Sequence, residues 1–112
     1  MKIKNIKKSN FVVLDLEEDK SHTIDDVDLK SEVSSLVNRK FTHIGFNLSH
    51  LNYLLSKDLT AFAFIYKKIR DSGGQMIFIG PNQNIMNILH MTGFQKLVKT
   101  FSNEKEFLKY LE

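Results

Sequence analysis

The sequence predicts an α/β domain, a mixed and mostly parallel β-sheet of about five strands carrying about four α-helices. Three observations predict it. Two stretches read as buried strands: Thr42 to Leu48, with Ile44, Phe46 and Leu48 on alternate positions, and Gln75 to Gly80, with the run Met76-Ile77-Phe78-Ile79. Between them Ser56 to Ser72 reads as a helix stopped by Gly73-Gly74, and a helix is the usual crossover of a parallel strand pair. The chain has 112 residues, 42% hydrophobic and 26% charged, enough for one modest core without a disulfide or metal staple. One domain over residues 1–112 is therefore expected.

The remaining elements follow in chain order. Ile3 to Lys8 and Phe11 to Glu17 read as strands joined at Ser9-Asn10, a hairpin. Asp25-Asp26 then puts acidic groups where a helix N-terminus favours them; Leu29, Val33, Leu36 and Val37 recur at helical spacing, and Arg39-Lys40 suits the C-terminus. After the second buried strand, Pro81-Asn82 opens a helix through Ile85, Leu89 and Met91 that ends at Gly93. Lys96 to Phe101 reads as a final strand. A last helix follows Asn103, with Glu104 and Glu106 in its first turn and Phe107, Leu108 and Leu111 as its apolar face.

Composition excludes several function classes. No apolar run approaches the roughly 20 residues of a membrane span, so direct membrane insertion is not expected. Met1 to Lys8 is basic without the apolar core of a signal peptide, and there is no cysteine, so the expected location is cytoplasmic. Zero cysteines also exclude disulfides, thiolate catalysis and cysteine-based zinc sites. His22, His43, His50 and His90 lack metal-ligand spacing, and Gly73-Gly74 lacks the flanks of a dinucleotide or phosphate loop. No serine, histidine and acid suggest a triad. We therefore expect no enzyme, no metal and no cofactor. Net charge is +3, with acids crowded between Asp15 and Asp28 and lysines dispersed, so no basic stripe marks a nucleic-acid partner.

One block carries a resemblance. Ile44-Gly45-Phe46-Asn47-Leu48-Ser49-His50-Leu51, then Leu59 through Gly74, then Met76-Ile77-Phe78-Ile79-Gly80, the Thr92-Gly93-Phe94 corner and Phe101-Ser102-Asn103-Glu104-Lys105-Glu106 together resemble STAS domains. That family includes bacterial anti-sigma factor antagonists and sulfate-transporter tails. The resemblance covers Lys2 to Leu111 and is tightest from Ile44 onward. It implies a STAS-like single domain that binds an anti-sigma factor or a serine-kinase-like regulator, often of GHKL fold, with a PP2C-like phosphatase as a further partner.

Phospho-switching members of the family carry an Asp-Ser-Ser-Gly-like tetrapeptide at the start of the helix after the third strand, its second serine being the phosphoacceptor. The matching residues here are Leu55, Ser56, Lys57 and Asp58. Lysine cannot form a serine phosphoester. Ser56, one position early, is the phosphorylation candidate; it also suits a helix cap, with Asp58 assisting through the dipole and Lys57 placed to neutralise an added phosphate. A fixed positive charge at Lys57 alternatively suggests a domain locked in one binding state.

On the Ser56 to Ser72 helix, Leu59, Phe62, Ala63, Tyr66 and Ile69 share the face expected to pack on the sheet. The opposite side presents Lys57, Ala61, Phe64 and Lys68, an aromatic flanked by long basic side chains, as in a binding hot spot. With Asp58 and Thr60 at the helix start, and Asn47, Ser49, His50 and Asn52 as a rim, this is the expected partner surface. Two other functions compete: a cytoplasmic STAS accessory subunit of an ABC-type lipid transporter, and a nucleotide- or lipid-sensing STAS domain with its groove at the Ser56 helix N-terminus.

Overall fold

In a computed structural model of the chain, residues 2–5, 10–18 and 23–112 are described, the first four by backbone alone. The elements run β1 (Lys2–Asn5), β2 (Phe11–Asp15), α1 (Asp26–Asn38), β3 (His43–Asn47), α2 (Ser56–Asp71), β4 (Gln75–Ile79), α3 (Gln83–Thr92), α4 (Phe94–Leu97), β5 (Lys99–Phe101) and α5 (Glu104–Leu111). The expected positions Ile6 to Ser9 and His22 lie outside the described residues.

Strand order in the sheet equals chain order, β1-β2-β3-β4-β5. β1 pairs antiparallel with β2, Ile3 opposite Leu14, and every later pairing is parallel, with Ile44 opposite both Val12 and Met76. Because the parallel strands advance in one direction, same-handed crossovers put every connecting helix on one face. That face holds the main core: Leu29, Val33 and Leu36 of α1, Phe62, Ile65 and Ile69 of α2, and Ile85 and Leu89 of α3 pack on Val12, Leu14, Ile44, Phe46, Met76 and Phe78. Within it the rings of Phe46 and Phe78 sit 5.5 Å and 5.2 Å from that of Phe62, edge-on. Each such pair contributes about 1 kcal/mol beyond burial. The alternate strand residues Phe11, Val13, Ile77, Ile79 and Phe101 point to the other face, which α5 covers with Phe107.

The departures from expectation are local. The first part of the expected Lys96 to Phe101 strand is a helical turn, α4, because Gly93 takes a left-handed φ of 81° and the backbone N–H of Lys96 closes back on its carbonyl at 3.0 Å. Met91 is 85% exposed: α3 meets the sheet through Ile85 and Leu89, a turn apart, and position 91 falls off that stripe. Leu108 is exposed likewise, leaving Phe107 to bury α5. Lys40 does more than complement a dipole, since it adopts φ 73° while Phe41 N–H reaches the Leu36 carbonyl at 2.8 Å, a left-handed helix stop usually given to glycine.

Gly73 and Gly74 end α2 for different reasons. Gly73 has φ +80° with open space around it, whereas a Cβ on Gly74 would lie 1.7 Å from the Thr42 carbonyl oxygen. Gly73→Ala is accordingly expected to cost about 1 kcal/mol, and Gly74→Ala about 3 kcal/mol. Urea denaturation of the two variants checks the order.

Candidate functional site

The parallel strands end at Asp15, Asn47, Ile79 and Phe101, and loops leaving those ends form the rim of the site. The Leu48–Leu55 loop is pinned from three sides. Leu48 N–H donates to the Ile79 carbonyl at 2.8 Å, Asn52 N–H to Glu18 Oε1 at 3.1 Å, and the Asn82 amide to the carbonyls of Leu51 and Asn52 at 3.3 and 3.0 Å. Asn82 also caps α3, its Oδ1 accepting from Ile85 N–H at 2.9 Å. Asn47 turns inward, its amide donating to the buried Asp15 carboxylate at 2.9 Å and its Oδ1 accepting from Ser49 N–H. Ser49, His50 and Asn52 are exposed on this loop.

At the start of α2 the N-cap position belongs to Leu55, which has no side-chain acceptor, and Ser56 is the first helical residue, so the expected serine cap is not formed. Asp58 fills the role from inside the helix. Its Oδ2 accepts from Leu55 N–H at 2.8 Å, and the residue is only 2% exposed, so it anchors the helix start and is no surface contact. Ser56 is left exposed, with its hydroxyl unbonded among the described residues.

Lys57 is the centre of the site. A lysine in the first turn of a helix opposes the macrodipole. Here its ammonium reaches across to the start of α1, donating to the Ile24 carbonyl at 2.8 Å, Asp26 Oδ2 at 2.9 Å and Asp58 Oδ1 at 3.0 Å. All three donors of the ammonium are used, so it is not available to neutralise a phosphate on Ser56. Asp25 and Asp26, two neighbouring acids that read alike in the sequence, separate: Asp25 caps α1 by accepting from Asp28 N–H at 3.0 Å, while Asp26 faces Lys57. Burial pushes the Asp26 carboxyl above the ordinary aspartate value of 3.8, the Asp58 carboxylate adds to this, and the Lys57 ammonium opposes both. Asp26 Oδ1 is buried without a hydrogen bond among the described residues. The bond to Asp26, followed by that to Asp58, holds the Lys57 ammonium above its ordinary 10.5.

Along α2 the buried stripe is Asp58, Ala61, Phe62, Ile65 and Ile69. Two expectations change places: Ala61, placed with the exposed group, is 3% exposed, and Ala63, placed with the core, faces solvent. The cause is that α2 packs against α1 as well as the sheet, which rotates its buried arc toward α1. Thr60 and Phe64 remain outside, Phe64 51% exposed, and Lys68 is half-buried. Lys30 of α1 puts its ammonium 5.6 Å from the Phe64 ring centroid, and Val27 of α1 is exposed. Residues on α1 were not part of the expected surface. The acidic start of α1 was visible in the sequence, but which residue it would face was not.

Among the described residues no group of histidines and acids could hold a metal, and no helix is long and apolar enough to cross a membrane.

Replacing Lys57 by Met would leave Asp26 and Asp58 facing each other without a cation. We expect Lys57→Met to lose about 2 kcal/mol at neutral pH, and Lys57→Met/Asp26→Asn to recover part of the loss. The Lys57 contribution, belonging to a raised base, is complete below pH 10.5 and fades as pH rises through the higher folded value. Base titration of thermal stability should show that alkaline step in the parent and not in Lys57→Met.

A sequence model of the STAS domain family matches residues 21–107. An anti-sigma F factor antagonist of Paenibacillus polymyxa is 30% identical over 91 residues, 81% of this chain and 77% of that protein. Among solved structures, a Thermotoga maritima protein described as a candidate anti-sigma factor antagonist superposes with a TM-score of 0.81 at 22% identity, covering 98% of this chain and 92% of its own. The Bacillus cell-fate determinant SpoIIAA in its phosphorylated form gives a TM-score of 0.75 at 15% identity, covering 99% of this chain and 98% of its own. With the sheet order, the connecting helices on one face and the loop that leads into α2 all in place, the chain belongs to the STAS domain family.

Proposed function

We propose that residues 1–112 form one regulatory, non-enzymatic STAS domain that acts in the cytoplasm as an anti-sigma factor antagonist, binding an anti-sigma factor or a serine-kinase-like regulator and thereby freeing a sigma factor. The observation that carries the reading is Phe64. It is a large aromatic held half out of α2 beneath the Lys30 ammonium, on the face that runs from the Ser56 end of the helix toward α1. Exposed Thr60 and Val27 extend that face, and Ser49, His50 and Asn52 are exposed on the loop that leads into α2. An aromatic anchor inside a polar rim is the usual composition of an energetic centre in a protein interface.

The kinase-like partner, and a phosphatase opposing it, bear on Ser56. Position 57 has no hydroxyl and its ammonium is committed to Asp26 and Asp58, so the reading places it outside any phosphoester cycle. Ser56 is the remaining acceptor candidate. Its phosphate would lie at the first turn of α2, where the helix dipole favours negative charge, beside the buried carboxylates, where it is disfavoured.

The test uses the purified chain and the anti-sigma factor encoded in the same genome. The unmodified chain is expected to form a complex, and Phe64→Ala to weaken it at least about tenfold in a calorimetric titration, while the melting temperature stays near that of the parent. No complex with the parent would refute the reading. Intact mass after incubation with the partner and Mg-ATP reports on the switch: a gain of one phosphate that Ser56→Ala abolishes assigns Ser56 as acceptor, and an unchanged mass makes the antagonist constitutive.

A further inference from the structure

At the far end of α2 from Ser56, a cleft of about 400 Å³ opens between the last turns of that helix, α4 and the first residues of β4 and β5. Its floor is apolar, formed by Ile69, Met76 and Val98, all nearly inaccessible to solvent. Tyr66 and Leu97 stand at its sides, Leu97 being an exposed apolar residue with no core to cover. Arg70 and Lys96 bring positive charge to it, while Lys99, of the same strand parity as Phe101, turns its ammonium to the α5 face of the sheet. No carboxylate lines it.

The surroundings do not cancel that charge. Arg70 approaches Asp71 at 3.5 Å, but both side chains are more than half exposed, and such a pair contributes little. The Arg70 guanidinium also lies 5.7 Å from the Tyr66 ring, and the Lys99 ammonium 5.0 Å from the Tyr110 ring. Gln75 donates to the Tyr110 hydroxyl at 3.3 Å and so braces the β5 side of the rim. Aromatic faces steady the cations without neutralising them.

We propose that this cleft binds a small organic phosphate, its phosphate group between Arg70 and Lys96 and its apolar body against Tyr66, Met76 and Leu97. A phosphate monoester carries a charge of about −1.5 to −2 at neutral pH, which the two cations of Arg70 and Lys96 match. The guanidinium fork of Arg70 suits two phosphate oxygens at once. The cleft volume falls within the range of small-molecule sites, roughly 300–1,000 Å³, and its apolar floor gives no use to inorganic phosphate. The ligand is either a soluble phosphate ester or the headgroup of a phospholipid presenting the same chemistry.

Hexyl phosphate is the probe, titrated into the isotopically labelled full chain and followed by amide shifts. The expected result is movement of Arg70, Gln95 and Lys99 with a Kd below about 1 mM, and binding of inorganic phosphate at least tenfold weaker. Arg70→Gln/Lys96→Gln, both at exposed positions, should keep the parent melting temperature and lose at least about tenfold in affinity. Sedimentation with phosphatidylcholine vesicles, with and without phosphatidic acid, distinguishes the sources. Co-sedimentation that depends on phosphatidic acid and is lost in the double variant assigns a lipid headgroup; hexyl phosphate binding without it assigns a soluble ester. Absence of shifts, equal binding of inorganic phosphate, or unchanged affinity in the double variant would overturn the proposal.

Discussion

The ammonium of Lys57 is the interaction on which the site depends. It joins the first turn of α2 to the start of α1 through the Ile24 carbonyl and Asp26, and it holds Asp58 in the position from which that carboxylate closes the Leu55 N–H. Two buried or half-buried carboxylates in one place would repel each other, and a cation placed against the helix dipole would be disfavoured alone. The ammonium bridges the two carboxylates and offsets part of their repulsion, and the Asp26 carboxyl stays raised. The consequence reaches the surface: with the two helix starts tied, Phe64 on α2 and Lys30 on α1 keep a fixed relation and form one continuous face.

Most of the fold was legible because its strands obey simple rules. Ile44, Phe46, Met76 and Phe78 point to one face and Ile77 and Ile79 to the other, and the glycine pair after α2 marks a real stop. What was not legible depended on distance in space. The turn that became α4 follows from the left-handed Gly93, whose local geometry a strand-like apolar pattern does not report. Met91 and Leu108 are apolar by type, and only the placement of α3 and α5 on the sheet shows that neither has a core to enter.

The site divides in the same way. Ser49, His50, Asn52, Thr60 and Phe64 stand exposed where the sequence put them, since loop position and helical phase were enough. Ala61 and Asp58 do not, because α1 adds a second packing partner to α2 and rotates its buried arc. Asp26 is the residue the sequence could not supply. Its neighbour Asp25 has an equal claim to the helix N-terminus, and only the fold decides that one caps and the other pairs with Lys57. The same lysine, read in the sequence as a fixed positive charge at the position of a switch, is also a structural link between α1 and α2.

A STAS scaffold with that link combines the proposed recognition face along α2 and α1 with a basic cleft at the far end of α2, a helix of 16 residues. The central claim is that partner recognition belongs to the α1–α2 face. Titrating the labelled chain with the anti-sigma factor of the same genome and mapping amide perturbations tests it most directly. Perturbations concentrated at Lys30, Thr60 and Phe64, fading toward α5, are the predicted result. Perturbations confined to α5 or to the α4–β5 end, with the α1–α2 face undisturbed, would contradict the account.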